Sequence, residues 1–127
     1  MGNQQLILVI LSFLVAAIAI VLGVRYFSTW VVDSERSQII NEAHAVADLA
    51  DAYYLKPPQL GGGGGSYLNF NPPTIKKPSN SGSTLISVAA NRVSINVVGT
   101  ELGRDSQNPI EITLQIRPGE RILRVRN

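Results

Sequence analysis

From Leu6 to Val24 the chain reads LILVILSFLVAAIAIVLGV, nineteen residues without a charge, a proline or a turn cluster. As α-helix, at about 1.5 Å per residue, that run spans roughly the 30 Å hydrocarbon thickness of a bilayer. The rest of the 127-residue chain is enough for one small domain, whose core is too thin to hide such a segment. The run therefore needs an apolar surrounding, either a membrane or an assembly of like segments that replaces one.

The flanks distinguish this run from an export signal. A secretory signal has a basic leader region, a shorter apolar core and a small-residue cleavage site. Here nothing basic precedes Leu6, and Arg25-Tyr26-Phe27 follows the run. The positive-inside bias places the Arg25 side in the cytoplasm only weakly. One resolution is that a short basic leader has been removed and that Met1 is the mature first residue.

Beyond the apolar run the pattern changes twice, giving the segments 1–24, 25–56, 57–83 and 84–127. The helix is expected to continue from about Asn3 to Tyr54, a length on the order of 75 Å. In its second half Ile39, Ala43, Val46, Ala50 and Tyr53 recur at four-three-four-three spacing, while Glu42, Asp48 and Asp51 lie elsewhere around the helix. Such a stripe needs a partner surface. Gly23 is the weakest helical position in the apolar half, and Pro57-Pro58 ends the helix. A bend or lost hydrogen bonds near Gly23 are expected in an assembled form.

Segment 57–83 holds five consecutive glycines (Gly61–Gly65), Asn71-Pro72-Pro73 and a Ser/Asn/Gly run. It reads as a linker that crosses surface without forming a core, with a short strand possible at Ser66–Phe70. The last segment is β. Leu85–Val98 folds as a hairpin about Asn91-Arg92, setting Ile86 opposite Val97, Val88 opposite Ile95 and Ala90 opposite Val93. Ile110–Val125 folds about Pro118-Gly119, setting Ile112 opposite Val125, Leu114 opposite Leu123 and Glu111 opposite Arg126. Both registers separate an apolar from a polar face. A Pro-Gly type II turn fits a two-residue hairpin poorly, so a longer loop with a shifted second register is the alternative. The predicted fold is α+β: a long N-terminal helix, apolar then amphipathic, packed on a four-stranded antiparallel sheet. The sheet's apolar face (Ile86, Val88, Ile95, Val97, Ile112, Leu114, Leu123, Val125) is expected to cover the stripe Ile39, Ala43, Val46, Ala50 and Tyr53.

Little in the chain reads as chemistry. The net charge of +2 divides into −2 over residues 25–56 and +4 over residues 57–127. The basic residues are scattered, with Lys76-Lys77 the one adjacent pair, so a solvated surface is preferred to nucleic-acid binding. Gly61–Gly65 lacks the Lys-Ser/Thr and preceding strand of a phosphate loop and reads as a flexible or tightly turning linker. His44 is the only histidine, too isolated for a triad or a zinc site, and is expected at the surface. Glu101, Asp105 and Asn108 lack Ca²⁺-loop spacing and read as ordinary loop polarity. The aromatics Tyr26, Phe27, Trp30, Tyr53, Tyr54, Tyr67 and Phe70 read as interface anchors and core. The absence of cysteine excludes disulfides and thiolate metal sites. No catalytic constellation, cofactor or metal site is expected.

The order of parts resembles the type IV pilin and pilin-like family: an apolar helix starting within a few residues of the N-terminus, its amphipathic continuation, a Gly-rich loop, then an antiparallel sheet. Met1 fits that family's hydrophobic first residue, and Gln4-Gln5-Leu-Ile-Leu-Val-Ile with Tyr53-Tyr54…Leu60-Gly-Gly-Gly-Gly is similar to small bacterial pilin-like subunits. Two features depart from the pattern: Gln5 stands where the family generally has Glu, and there is no C-terminal disulfide. The resemblance implies a subunit that rests in the inner membrane and is then extracted into an extracellular helical homopolymer. It implies a polymerisation surface of Met1, Gln4, Gln5, Leu6, Val9, Phe13, Ala17, Ile20 and Gly23. It also implies partners in a prepilin peptidase and a pilus assembly machinery. Two other functions remain open: a pseudopilin of a secretion or DNA-uptake machine, and a single-pass membrane-anchored binding protein.

Overall fold

The computed structural model describes residues 2–71 and 83–127. One helix, α1, runs from Gly2 to Leu55 without interruption, about 80 Å at the standard rise. It passes through Gly23 unbroken in the single chain. A short 3₁₀ turn at Pro58–Leu60 follows. Four strands complete the chain: β1 (Thr84–Ala89), β2 (Arg92–Leu102), β3 (Pro109–Arg117) and β4 (Glu120–Arg126). They form one antiparallel meander in the order β1-β2-β3-β4, and α1 packs across it through its second half. The fold is thus α+β in a pilin-like layout.

The second hairpin has the register expected from sequence, with Ile112↔Val125, Leu114↔Leu123 and Glu111↔Arg126, closed by Pro118-Gly119. Gly119 takes φ 80°, which a glycine adopts freely. The first hairpin differs. Its turn is Ala90-Asn91, and the pairs are Thr84↔Val97, Ile86↔Ile95 and Val88↔Val93, a slip of two residues from expectation. A slip of two leaves every side chain on its own face, so alternation alone does not choose between the registers. Packing does. The observed register aligns Val88, Val93 and Ile116 in one row and Ile86, Ile95 and Leu114 in the next. It also leaves the Ala90 carbonyl free to accept the Tyr67 amide at 3.0 Å.

The core lies between α1 and the central strands. Ile39, Ala43, Val46, Ala47 and Ala50 are buried against Val93, Ile95, Val97, Ile110, Ile112, Leu114 and Ile116. Ile86 and Val88 on β1 are half-buried. Leu123 and Val125 face the same side but remain 39 % and 43 % exposed, contrary to expectation. The helix lies over β2 and β3, and its small Ala43, Ala47 and Ala50 side chains let it sit close there, leaving the β4 edge uncovered.

The glycine tract is an ordered helix stop. The amides of Gly63 and Gly65 donate to the carbonyls of Tyr53 and Tyr54 at 2.8 and 2.9 Å, and Gly64 donates to Lys56 at 3.0 Å. The carbonyls of Tyr53 and Tyr54 are among those that a helix end leaves without intrahelical partners. A Cβ on Gly63 would lie 1.8 Å from the Ser66 carbonyl oxygen, so the close approach requires glycine. The same amides are therefore not free to cradle a phosphate.

Residues 66–70 form turns rather than the strand considered from sequence. They also contribute to the core, contrary to the linker expectation: Tyr67 is fully buried and Phe70 nearly so. Tyr67 stacks on Tyr54 at 4.8 Å and Phe70 on Tyr53 at 5.4 Å between ring centroids. Aromatic burial at the helix end outweighs the turn-forming composition around it.

Candidate functional site

The surface that most needs a function is the first half of α1. Fourteen large apolar side chains between Leu6 and Val24 are exposed, none by less than half of its surface. An 18-residue window of this helix reaches a mean hydropathy of 3.2 with nothing buried against it. At about 1.5–3 kcal/mol per side chain, leaving them in water costs roughly 20–40 kcal/mol. That exceeds the roughly 5–15 kcal/mol by which a whole domain is normally stable. The segment is long and apolar enough to anchor in a membrane.

The residues assigned to polymerisation lie along this half. Gln4 and Gln5 sit in its first turns, and Leu6, Val9, Phe13, Ala17, Ile20 and Gly23 follow, all exposed. Met1 lies outside the described residues. A shallow apolar hollow opens on the helix itself between Leu8, Val9, Ser12, Phe13 and Ala16. Ser12 returns its hydroxyl to the Leu8 carbonyl at 2.8 Å, so it adds no unsatisfied donor to the apolar surface. Just past the run, Tyr26, Phe27 and Trp30 project outward beside Arg25, with the Phe27 and Trp30 rings 6.2 Å apart. Aromatic and basic side chains at the end of an apolar helix suit a membrane–water boundary.

The second half of α1 is fixed to the sheet by polar contacts that sequence periodicity does not show. The Glu35 carboxylate accepts from the Thr100 amide and hydroxyl at 2.8 Å each and from the Glu101 amide at 3.0 Å. The β2–β3 register shifts between Val98 and Leu102, and Glu35 supplies acceptors to amides within that irregular stretch. Gly99 permits the approach, because a Cβ there would lie 3.0 Å from Glu35 Oε2 and 3.1 Å from Ile39 Cδ1. Arg36 donates to the backbone oxygen of Asn127. Arg121 on β4 donates to Asp48 and Asp51 at 2.7 and 2.6 Å, and these bonds raise its pKa further.

Of the stripe residues, Ile39, Ala43, Val46 and Ala50 are buried, whereas Tyr53 is half-buried and donates its hydroxyl to the Leu68 carbonyl at 2.8 Å. Tyr67 donates to Asp51 at 3.3 Å. Burial, then the Asp51 charge, pushes its phenol up to about 12. His44 is half-buried on the helix. Asp105 accepts from the Asn108 side chain at 2.9 Å and from the Gln107 and Asn108 amides, which hold its carboxyl below the usual range. Those oxygens serve the loop's own turn. Among the described residues no group of three or more His, Cys, Asp or Glu is placed to hold a metal ion.

No protein-family model, curated protein or solved structure matches the chain.

Proposed function

We propose that the protein is the structural subunit of an extracellular pilus-like filament, held in a membrane before assembly and polymerised through its N-terminal helix. The observation that carries this reading is the division of labour along α1. One face of the stretch from Ile39 to Ala50 is buried against the chain's own sheet, while the stretch from Leu6 to Val24 is buried by none of the described residues. A simple anchor needs only the second property. A filament subunit needs both: a rigid outer domain, and an apolar rod that neighbouring rods can enclose once the membrane is left behind. An 80 Å helix joining the two without a loop transmits the position of one to the other.

The polymerisation surface in this reading is Met1, Gln4, Gln5, Leu6, Val9, Phe13, Ala17, Ile20 and Gly23, shielded by the same segment of neighbours. Inner-membrane residence, a prepilin peptidase and an assembly machinery follow from the pilin resemblance. The role is structural, with no catalytic step.

The test is removal of detergent from the purified full chain, followed by sedimentation and negative-stain microscopy. Regular fibres of uniform width support the filament. Amorphous aggregate would favour a lone membrane anchor.

A further inference from the structure

The two ends of the sheet domain carry opposite chemistry. At the end where α1 stops, Leu55 and Leu60 project into solvent, 80 % and 66 % exposed. Lys56 follows Leu55 in the chain, Arg117 lines one hollow with Leu55 and another with Arg92, and none of these three cations makes an ion pair among the described residues. Arg92 and Arg117 follow Val93↔Ile116 in the β2–β3 ladder and so occupy facing positions on neighbouring strands. Like charges in that relation disfavour the sheet unless something neutralises them. Glu120 pairs with Arg117 in register but forms no ion pair with it.

At the opposite end, a notch of about 650 Å³ opens between α1 and the β2–β3 loop. Phe27, Val32 and Leu102 contribute apolar surface to its lining, and Asp33, Glu101 and Arg104 contribute charged groups. Glu35 and Asp105 lie close by, committed to hydrogen bonds, and Asp33 is 3.9 Å from Arg36, so the four carboxylates of Asp33, Glu35, Glu101 and Asp105 outnumber the cations Arg36 and Arg104 around the notch.

We infer that the leucine-bearing basic end of one copy seats in the notch of a second copy, so that sheet domains stack head to tail. This rests on the filament reading and names the outer contact that the apolar rods do not supply. The fit is of two kinds at once: Leu55 and Leu60 against Phe27, Val32 and Leu102, and Lys56, Arg92 and Arg117 against Asp33 and Glu101. Because the two surfaces differ, the contact is heterologous. Such a contact makes open filaments where its rotation does not close into a ring. The stacking displaces the second copy by about one domain length.

The absence of cysteine makes the contact testable by pairing. Leu55→Cys and Leu102→Cys chains, both exposed positions, are mixed in detergent, the detergent is removed, and a short bismaleimide is added. The expected product is a dimer cross-linked in the mixture and absent from either variant alone. Fibres without that hetero-dimer overturn the stacking and leave the filament standing. No fibres and no cross-link overturn both. In parallel, Arg92→Glu with Arg117→Glu should raise the protein concentration needed for fibres by about tenfold or more. Adding Asp33→Lys and Glu101→Lys to the same chain should restore assembly. Reversal without effect, or without rescue, contradicts the contact.

Discussion

Arg121 on β4 holds Asp51 on the helix at 2.6 Å, an ion pair between elements seventy residues apart in sequence. The helix covers β2 and β3, so this pair and its partner bond to Asp48 tie the uncovered edge strand to α1, as Arg36 ties the chain end just beyond it. Both side chains are about one-third exposed, which keeps the interaction modest. Arg121→Met should destabilise the domain by about 1 kcal/mol, and the wild-type advantage should shrink as salt rises. Thermal unfolding of both proteins in one detergent at low and high salt checks this.

Tyr67 sets an alkaline limit on the fold. Its phenol holds its proton to about 12 in the folded chain, against an ordinary value near 10, because it is buried beside Asp51. The unfolded phenol ionises first, so stability is intact below pH 10 and is lost as pH rises toward 12. The loss is at most about 3 kcal/mol at 1.36 kcal/mol per unit. Tyr67→Phe removes this contribution, so the stability difference between variant and wild type should change sharply in that window and stay flat from pH 6 to 9.

Val46 lies at the centre of the helix stripe with 3 % of its surface exposed. Val46→Asp places an unpaired charge in an apolar core and should cost several kcal/mol, of order 3–5. Unfolding of the full chain in detergent should show a large drop in midpoint. An unchanged midpoint would mean that helix and sheet do not pack as described.

Gly63 closes the helix. With a Cβ 1.8 Å from the Ser66 carbonyl oxygen and 2.8 Å from Tyr53 Cε1, Gly63→Ala must push the loop off the helix end. The expected loss is about 1–3 kcal/mol. Faster hydrogen exchange at the Gly63 and Gly65 positions, whose amides bond Tyr53 and Tyr54, should accompany it.

The legible parts of this fold were those set by periodicity. A nineteen-residue apolar run, a four-three stripe and strict alternation placed the helix, its buried face and the two faces of the sheet. Alternation could not separate registers two residues apart, which is why the first hairpin turns at Ala90-Asn91 and not at Asn91-Arg92. Nor could it show that the helix leaves Leu123 and Val125 uncovered, because coverage depends on where the helix crosses. Tyr67 and Phe70 sit in a segment whose glycines and asparagines read as linker, although the aromatics themselves were a core signal. Glu35, Arg36 and Arg121 gave no signal at all, since a single charged residue looks the same in sequence whether solvated or bridging distant strands.

Gln5 is the residue by which assembly can be probed with least disturbance to the domain. In the proposed filament its carbonyl oxygen accepts a hydrogen bond from a neighbour's N-terminal ammonium, which a carboxylate would neutralise outright. Gln5→Leu removes the acceptor and should slow or weaken fibre formation, whereas Gln5→Glu should assemble at least as well. Sedimentation of fibres at matched protein concentrations reads the order.

The central claim is that segment 2–24, exposed in the single chain, is enclosed by the same segment of other copies. Electron cryomicroscopy of the detergent-free assembly measures this directly. The account predicts a helical fibre with those segments bundled along its axis and the sheets outside. Segments splayed on the outer surface, or particles with no helical order, would contradict it.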